Sequence, residues 1–292
     1  MTVAFEDVRE NPPAGVAPAR PAASVLVVRD GGEGLEVLVV LRSRAMRFAG
    51  GMLVFPGGRV DAADAGARLA CRQHPRRALK IAERAFRFAA IREAFEEAGL
   101  LLGARHGNAR AVGEALRRRI ERRHRARLLS GGLSFVTLAE REGLRFDLGT
   151  LVPFAHWVTP WESPKRFDTR FYLAPAPAGQ RAGLIDAIEN THLSWRRPTE
   201  ILEAWQAGEQ PLMFPTRLNL MKLARARTVE EALAFARRTP IHCVRPEIVG
   251  PKGEGRRLVI PESAGFGVCE ARSDELDPVE GYFVAEAPLA AS

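Results

Sequence analysis

The sequence predicts an α/β sandwich, in which helices cover the faces of a mixed β-sheet and extra helices follow toward the C-terminus. Two strand-sized apolar runs separated by glycines stand near the N-terminus. Residues 75–98 carry alanines and phenylalanines at helical spacing, and strand and helix signals alternate through the rest of the chain. Strands interleaved with helices are typical of a sheet packed between helix layers.

The first predicted elements are strands. Residues 24–28 form an apolar run, several glycines then interrupt it, and residues 35–41 form a second run, which together predict a hairpin. A short strand at residues 52–55 ends on Pro56-Gly57-Gly58. This glycine pair is the first feature that matters for function.

Helices dominate the later chain. Pro75 suits a first helical turn and Gly99 a helix C-terminus, so a helix is predicted over residues 75–98. The later predicted elements are a very basic helix at about 108–129, strands at 149–158 and 166–173, helical patterns at 198–207 and 215–238, and a hairpin at 247–260. Thr228 with Glu231 makes a capping box for the last helix.

The chain has 292 residues, which fits one large domain with additions. We expect a flexible lead-in at residues 1–20 and a main domain at 21–240 with an insertion at about 62–82. A C-terminal extension at 241–292 is expected to pack on that domain. The chain has no apolar run of signal-peptide or membrane-spanning length, so we expect a soluble, cytoplasmic protein without a membrane partner.

Composition narrows the function classes. The formal net charge of +8 favours anionic partners. The three cysteines are far apart and form no CxxC pair, which excludes a zinc site or disulfide framework of the usual spacing. The basic helix contains no aromatic residue for base stacking, which argues against nucleic acid. Neither a G-x-S-x-G elbow nor a P-loop is present, so serine hydrolases and P-loop NTPases are excluded.

The residues that indicate chemistry are Glu93, Glu96 and Glu97. Residues three and four apart share a helix face, so the three carboxylates converge. Two carboxylates about 6 Å apart repel each other by roughly 3 kcal/mol at an effective dielectric constant near 20. Three together are unfavourable unless a cation lies among them, and hard oxygen ligands suit Mg²⁺ or Mn²⁺. A solvated acidic face is the alternative interpretation for three glutamates taken alone.

The surrounding residues favour the metal site. Gly58, followed by the run Arg92-Glu93-Ala94-Phe95-Glu96-Glu97-Ala98-Gly99-Leu100, resembles the signature of the Nudix hydrolase superfamily, G-x5-E-x7-R-E-U-x-E-E-x-G-U with U aliphatic. This resemblance implies a Nudix-type α/β/α sandwich and a metal-dependent diphosphate hydrolase.

The left half of the signature departs from the family pattern. Arg92 follows Gly58 by 34 positions, where the pattern has fourteen, so about twenty residues are inserted. Counted forward from Gly58, the first signature glutamate falls on Asp64; counted back from Arg92, it falls on Arg84, next to Glu83. The sequence leaves these alternatives open.

A second motif narrows the resemblance. Arg42-Ser43, Arg47, Gly51 and Phe55-Pro56-Gly57-Gly58 fit the pattern R-[SA]-x3-R-x3-G-x3-F-P-G-G, which resembles the coenzyme A diphosphatase branch. The long insertion and the run from Trp157-Val158-Thr159-Pro160 to Arg166-Phe167-Asp168-Thr169-Arg170-Phe171 resemble the type-19 peroxisomal members of that branch. The resemblance implies cleavage of coenzyme A (CoA) or acyl-CoA. It implies substrate contacts at Arg42, Arg47, Gly51, Phe55 and Gly58, and guanidinium groups can bind phosphate oxygens bidentately.

The resemblance also implies roles at the metal. Glu96 and Glu97 are expected as ligands, with the backbone carbonyl of Gly57. Glu93 is expected as a ligand or as the general base, and Arg92 as a catalytic residue that pairs with or orients a carboxylate. A further acidic residue from a distant loop is expected at Asp168 or Glu162, and a homodimer is expected.

Two alternative functions stay open on the sequence. One is a Nudix pyrophosphatase acting on ADP-ribose, NADH, a dinucleotide or an RNA cap. The other is a Nudix module that binds a nucleotide without turnover. The intact set of Glu93, Glu96 and Glu97 favours an enzyme.

Overall fold

The computed structural model describes residues 12–45, 49–67, 79–105, 111–182, 190–250 and 256–272. The strands are β1 (Arg20–Gly31), β2 (Gly34–Arg42), β3 (Leu53–Val54), β4 (Gly57–Arg59), β5 (Ala104–Arg105), β6 (Leu144–Arg145), β7 (Val152–Val158), β8 (Phe167–Pro175), β9 (Asn190–Arg196), β10 (Cys243–Val244), β11 (Glu247–Val249), β12 (Arg257–Val259) and β13 (Glu270–Arg272). The helices are α1 (Ala62–Ala65), α2 (Ile81–Ala98), α3 (Glu114–Leu129), α4 (Phe135–Arg141), α5 (Pro198–Gln206), α6 (Phe214–Leu223) and α7 (Val229–Arg238).

One sheet of eight strands organises the molecule. Six strands follow the order β10-β7-β8-β1-β2-β3, while β4 pairs with β1 and β9 pairs with β2. β1 runs parallel to β8 and β10 runs parallel to β7, whereas the other neighbours pair antiparallel. The predicted mixed sheet and the predicted hairpin of β1 and β2 are therefore confirmed.

β1 lies in the interior of the sheet and carries apolar side chains on both faces. Ala23, Val25 and Val27 contribute to one core, and Leu26 and Val28 contribute to the other, because successive side chains of a strand point to opposite faces. Helices α2, α3 and α4 fill the first core, and α5, α6 and α7 fill the second. Helix layers on both faces of a mixed sheet confirm the predicted fold class.

A bulge in β7 fixes the position of α6. The pairing of β7 with β8 changes register between Pro153 and Ala155, which places Phe154 in the bulge. The buried Lys222 of α6 donates a hydrogen bond to the carbonyl of Phe154. Burial lowers the pKa of Lys222 to about 8. This contact ties the end of α6 to the sheet, and the start of α6 lies at the cavity described below.

The helical pattern predicted at 215–238 consists of two helices, because Thr228 begins a new one. The Thr228 hydroxyl accepts a hydrogen bond from the backbone N–H of Glu231, which is an N-cap arrangement. In the predicted capping box, the Glu231 carboxylate would accept from the N–H of Thr228. It accepts from the N–H of Arg227 instead.

Other boundaries also differ from prediction. The basic helix begins at Glu114 because Gly113 is extended, with ψ 164°. The helix predicted from residue 75 begins at Ile81 in the described residues, and residues 68–78 lie outside them. The strand predicted at 149–158 begins at Val152, since a short 3₁₀ turn precedes it. The predicted hairpin at 247–260 is confirmed by the antiparallel pairing of β11 and β12.

The described part of the chain holds no helix that combines the length and the apolar character needed to cross a bilayer.

Candidate active site

Two glycines form the corner at which the sheet meets α2. Gly57 and Gly58 lie in β4, opposite Ser24 and Ala23 of β1. A Cβ atom at Gly57 would lie 2.7 Å from the Ala23 carbonyl oxygen, and one at Gly58 would lie 2.5 Å from an oxygen of Glu93. Only glycine allows this approach, so the carboxylate of Glu93 rests directly on the backbone of the corner.

The predicted carboxylates converge at this corner. The Gly57 N–H donates a hydrogen bond of 3.0 Å to Oε2 of Glu97. Glu93 is 8% exposed and Glu97 is 6% exposed, and both line one cavity together with Glu96. The prediction that the three side chains share one face of α2 is thus fulfilled, and the solvated-face alternative is excluded for Glu93 and Glu97.

Arg92 donates hydrogen bonds to three carboxylates. Its Nη1 donates to Glu93 Oε1 at 2.7 Å and to Glu96 Oε2 at 2.9 Å. Its Nε and Nη2 donate to the two carboxylate oxygens of Asp64, each at 3.1 Å. Nη2 also donates to the carbonyl of Arg59. Arg92 therefore orients the carboxylates of α2 and joins them to α1.

Asp64 resolves the alternatives left by the insertion. Asp64 is 2% exposed and contacts Arg92, whereas Glu83 pairs with Arg87 and Arg170 at the opposite end of α2. Counting forward from Gly58 therefore identifies Asp64 as the residue at the first glutamate position of the signature. The inserted residues come after α1 in the sequence.

Burial and mutual repulsion raise the proton affinity of the carboxylates. Burial, with smaller contributions from Glu97 and Glu96, raises the pKa of Glu93 to about 8, and Arg92 opposes this rise. Burial also raises the pKa of Glu96 and of Asp64. Burial alone would lower the pKa of Arg92, but the carboxylates, Glu93 first, raise it. The positive charge of Arg92 therefore does not neutralise these carboxylates when they are ionised.

The chemistry of the donor set fits a hard divalent cation. Three carboxylates and a glycine backbone supply oxygen ligands of the kind that Mg²⁺ and Mn²⁺ prefer. Among the described residues, however, no three acidic, histidine or cysteine side chains already form a ligand cluster. Glu93 and Glu96 are hydrogen-bonded to Arg92 instead. The residues that would hold a cation therefore lie at one corner and share their oxygens with this guanidinium.

A cavity of about 780 Å³ extends from the carboxylates to the start of α6. The charged side chains in the cavity wall are Arg42, Arg59, Asp61, Arg92, Glu93, Glu96 and Glu97. Its apolar side chains include Val54, Phe55, Trp157, Phe171, Met213 and Pro215. A polar end and an apolar wall suit a ligand that joins phosphates to an uncharged group.

The predicted substrate residues divide into three groups. Arg42, Phe55 and Gly58 line the cavity. Gly51 is not among the lining residues; at φ 79° it closes a turn, and its N–H donates to the carbonyl of Arg42. Arg47 lies outside the described residues.

The residues expected to supply a distant acid do not reach the cavity. Asp168 lies 2.6 Å from Nε2 of His156, and neither Asp168 nor Glu162 lines the cavity wall. Asp61, which the sequence analysis did not single out, does line it, with a carboxylate oxygen 3.7 Å from Arg92 Nη2. The sequence signal that could have identified Asp61 is its position one helical turn before Asp64.

Two buried arginines of the basic helix support the end of α2. Arg117 donates to the carbonyl of Gly99 at 3.1 Å, and Arg125 donates to the carbonyl of Glu96 at 2.8 Å. The last carbonyls of a helix lack partners within it and carry partial negative charge, so cations stabilise them. The basic helix thus supports the carboxylates from behind. The sequence has nine arginines between residues 105 and 127, and no local pattern distinguishes Arg117 and Arg125 from the others.

Comparison with known proteins identifies the family. Residues 70–223, more than half of the chain, match the family described as the NUDT19 Nudix domain. The chain belongs to the Nudix hydrolase family. It is therefore a Nudix diphosphohydrolase, and the resemblance to the coenzyme A diphosphatase branch is confirmed by the same match.

Nudix relatives cover most of the chain. The acyl-coenzyme A diphosphatase NUDT19 of Gallus gallus is 28% identical in an alignment of 261 residues that covers 75% of this chain and 68% of that protein. The human protein of the same name is 28% identical over 277 residues, in an alignment that covers 77% of this chain and 68% of that protein. A crystal structure of a NUDIX hydrolase from Alicyclobacillus acidocaldarius is 32% identical, covers 80% of this chain and 99% of that chain, and has a TM-score of 0.60.

Proposed function

We propose that this Nudix hydrolase cleaves the diphosphate of CoA or acyl-CoA in the presence of Mg²⁺ or Mn²⁺. The products are adenosine 3′,5′-bisphosphate and 4′-phosphopantetheine or its acyl form. The observation that carries the proposal is the gathering of Glu93, Glu96 and Glu97 at the Gly57–Gly58 corner of a cavity with an apolar wall. Relatives named acyl-coenzyme A diphosphatase support the choice of substrate.

The carboxylates of α2 have separate proposed roles. Glu96, Glu97 and the carbonyl of Gly57 hold the cation, and Glu93 acts as a further ligand or as the general base. A bound divalent cation neutralises charge on the diphosphate and makes water a better nucleophile. Among the described residues Glu93 Oε1 is bonded to Arg92, while Oε2 has no hydrogen-bond partner. Oε2 is therefore the atom that we assign to accept a proton from the attacking water.

Arg92 is proposed to position these groups. Its bonds to Asp64 and to the carbonyl of Arg59 anchor it behind the site. From there it holds Glu93 and Glu96. A guanidinium keeps its charge at all relevant pH values, so Arg92 remains a cation while its partners change protonation.

The remaining cavity residues are proposed to bind the substrate. Arg42 and Arg59 supply positive charge along the wall, and Phe55 with Phe171 offers an apolar surface for an uncharged part of the substrate. Substrate contacts by Arg47 and Gly51 stay predictions. The cytoplasmic location, the homodimer and the division into lead-in, domain and extension also stay predictions.

A substrate panel tests the proposal. CoA, acetyl-CoA, ADP-ribose, NADH and capped RNA are incubated separately with Mg²⁺ and with Mn²⁺, and the products are separated by chromatography. We expect the two CoA compounds to give the highest kcat/KM and adenosine 3′,5′-bisphosphate as the shared product. Preference for ADP-ribose, NADH or capped RNA would replace the proposed substrate, and metal-independent binding without turnover on any compound would indicate a non-catalytic module.

A further inference from the structure

The start of α6 places an unsatisfied polar group in the cavity wall. Thr216 is the third residue of α6, lines the cavity beside Met213 and Pro215, and is 5% exposed. Within the described part of the chain, the Thr216 hydroxyl forms no hydrogen bond. The Thr216 oxygen is not among the fully buried unpaired oxygens of the described residues, so it is open to the cavity. A ligand in the cavity is therefore the group that would complete it.

Helix α4 provides an internal comparison, since it also begins with Phe-x-Thr. There Ser134 is the N-cap residue, and its Oγ accepts the N–H of Thr137 at 3.1 Å and lies 2.9 Å from the Thr137 hydroxyl. At the start of α6 the N-cap residue is Met213, which forms no side-chain cap. The Thr216 N–H therefore lacks the acceptor that Thr137 has. A helix start of this kind attracts anions.

Arg42 adds positive charge to the wall of the same cavity. The Arg42 N–H donates to the carbonyl of Met52 at 3.0 Å. Met52 and Ala49 pack against Met213 at the start of α6. The end of β2 and the start of α6 are thus joined by this small apolar cluster, and both Arg42 and Thr216 line the cavity.

This part of the wall is separate from the carboxylates. Val54 pairs with Val40 beside Arg42, whereas Gly57 pairs with Ser24 at the acidic corner. Pro56 forms a bend between these two pairings, so Arg42 and the acidic corner belong to different strand pairs. An anion bound by Thr216 would be a second anionic group of the same ligand, in addition to the diphosphate at Glu93, Glu96 and Glu97.

We propose that the start of α6, the Thr216 hydroxyl and Arg42 form a second anion subsite, which binds a phosphate monoester that the substrate carries in addition to its diphosphate. The inference rests on the proposed function, because the ribose of CoA carries a 3′-phosphate beside its diphosphate. ADP-ribose and NADH carry no such phosphate, so the subsite selects among nucleoside diphosphate derivatives.

Removal of the hydroxyl tests the subsite. The kcat/KM values for CoA and for 3′-dephospho-CoA are compared in the wild type, Thr216→Val, Thr216→Ser and the matched control Thr137→Val. We expect the wild type to prefer CoA by at least about tenfold, as a hydrogen bond to a charged group would give. Thr216→Val should lower kcat/KM for CoA by about tenfold through KM, leave 3′-dephospho-CoA unchanged, and be rescued by serine. Thr137→Val should change neither value.

Equal loss on both substrates in Thr216→Val, or no preference in the wild type, would overturn the inference. Arg42→Gln gives a second test, since it should reduce the same preference without the hydroxyl being altered. If circular dichroism shows that Thr216→Val does not fold, two measurements still test the subsite. They are the preference of the wild type for CoA over 3′-dephospho-CoA and the change of that preference in Arg42→Gln.

Binding separates this inference from the proposed function. Calorimetry compares adenosine 3′,5′-bisphosphate with adenosine 5′-monophosphate. Tighter binding of the bisphosphate that is lost in Thr216→Val, in a protein that hydrolyses neither coenzyme, would refute the function and support the subsite. Equal binding of the two nucleotides by the wild type would refute the subsite even if CoA is hydrolysed.

Discussion

The two ends of α2 carry opposite imbalances of charge. At the N-terminal end, Glu83 lies 2.6 Å from Arg87 Nε and 2.6 Å from Arg170 Nη1, and it accepts a hydrogen bond from the hydroxyl of Tyr172. At the C-terminal end, Arg92 is shared among Asp64, Glu93 and Glu96, and Glu97 lies beside them. One end places two guanidinium groups on one carboxylate, and the other places several carboxylates around one guanidinium.

The difference separates stability from function on a single helix. The arginines satisfy Glu83 within the protein, and Arg87 also donates to the carbonyls of Leu148 and Leu151. At the C-terminal end, burial and then the neighbouring carboxylates raise the pKa of Glu93, since Arg92 does not neutralise the group. Structural ion pairs are neutralised by the fold, whereas an active site retains charge that its ligand neutralises.

The largest expected effect is on turnover at the C-terminal end. Glu97→Gln should lower kcat by at least about 10³-fold, because several kcal/mol of charge stabilisation at the diphosphate are lost with a cation ligand. Steady-state kinetics with Mg²⁺ measures the loss, and circular dichroism checks the fold. Glu230→Gln, an exposed glutamate on α7, is the control. Full activity of Glu97→Gln would show that this carboxylate does not hold the metal.

The next effect is on stability at the N-terminal end. Glu83→Gln should reduce the free energy of unfolding by about 2–4 kcal/mol, because the buried Arg87 and the partly buried Arg170 lose their counter-charge. Urea unfolding measures it, and kcat of the folded fraction should change little. A loss of turnover without a loss of stability would remove the distinction between the two ends.

The third effect has the opposite sign. Glu93→Gln should stabilise the metal-free protein by about 4 kcal/mol at pH 8. The pKa of Glu93 is raised from 4.5 to about 8 on folding. The folded state therefore holds the proton more tightly than the unfolded state, and wild-type stability falls as pH rises from 4.5 through 8.

The gain from Glu93→Gln should accordingly be small near pH 4.5 and grow toward pH 8. Urea unfolding of both proteins in the presence of a chelator follows it. A difference that does not change with pH would contradict the assigned shift.

The smallest effect concerns the support behind the carboxylates. Arg125→Gln should reduce stability by about 1 kcal/mol, because the carbonyl of Glu96 loses a charged hydrogen-bond donor. Affinity for Mn²⁺ should fall severalfold as Glu96 becomes less well oriented. Arg127→Gln, an exposed arginine on the same helix, is the control. Equal effects of the two variants would mean that Arg125 has no special role.

The sequence predicted the features that depend on local spacing. The fold class, the carboxylate face of α2 and the role of Gly99 at its end follow from periodicity and from the signature, and the structure bears out their placement. Gly99 has the left-handed φ of 65° that a helix-ending glycine adopts.

Features that depend on contacts distant in sequence were missed. Asp64 and Arg84 were alternatives because an insertion hides the register between Gly58 and Arg92, and only the position of α1 against α2 decides between them. Arg117 and Arg125 differ from neighbouring arginines only in the helix face that α2 covers. Thr216 gave no signal, since its missing partner is visible only when the residues around it are known.

Calorimetric titration of the metal-free protein with Mn²⁺ tests the central claim most directly. The charge excess at the C-terminal end of α2 predicts saturable binding in the wild type. It also predicts release of a proton at pH 7, seen as a dependence of the binding heat on buffer, because Glu93 is largely protonated below a pKa of about 8. Replacement of Glu93, Glu96 and Glu97 together by glutamine should abolish this binding. Equal Mn²⁺ affinity in the wild type and the triple variant would contradict the claim.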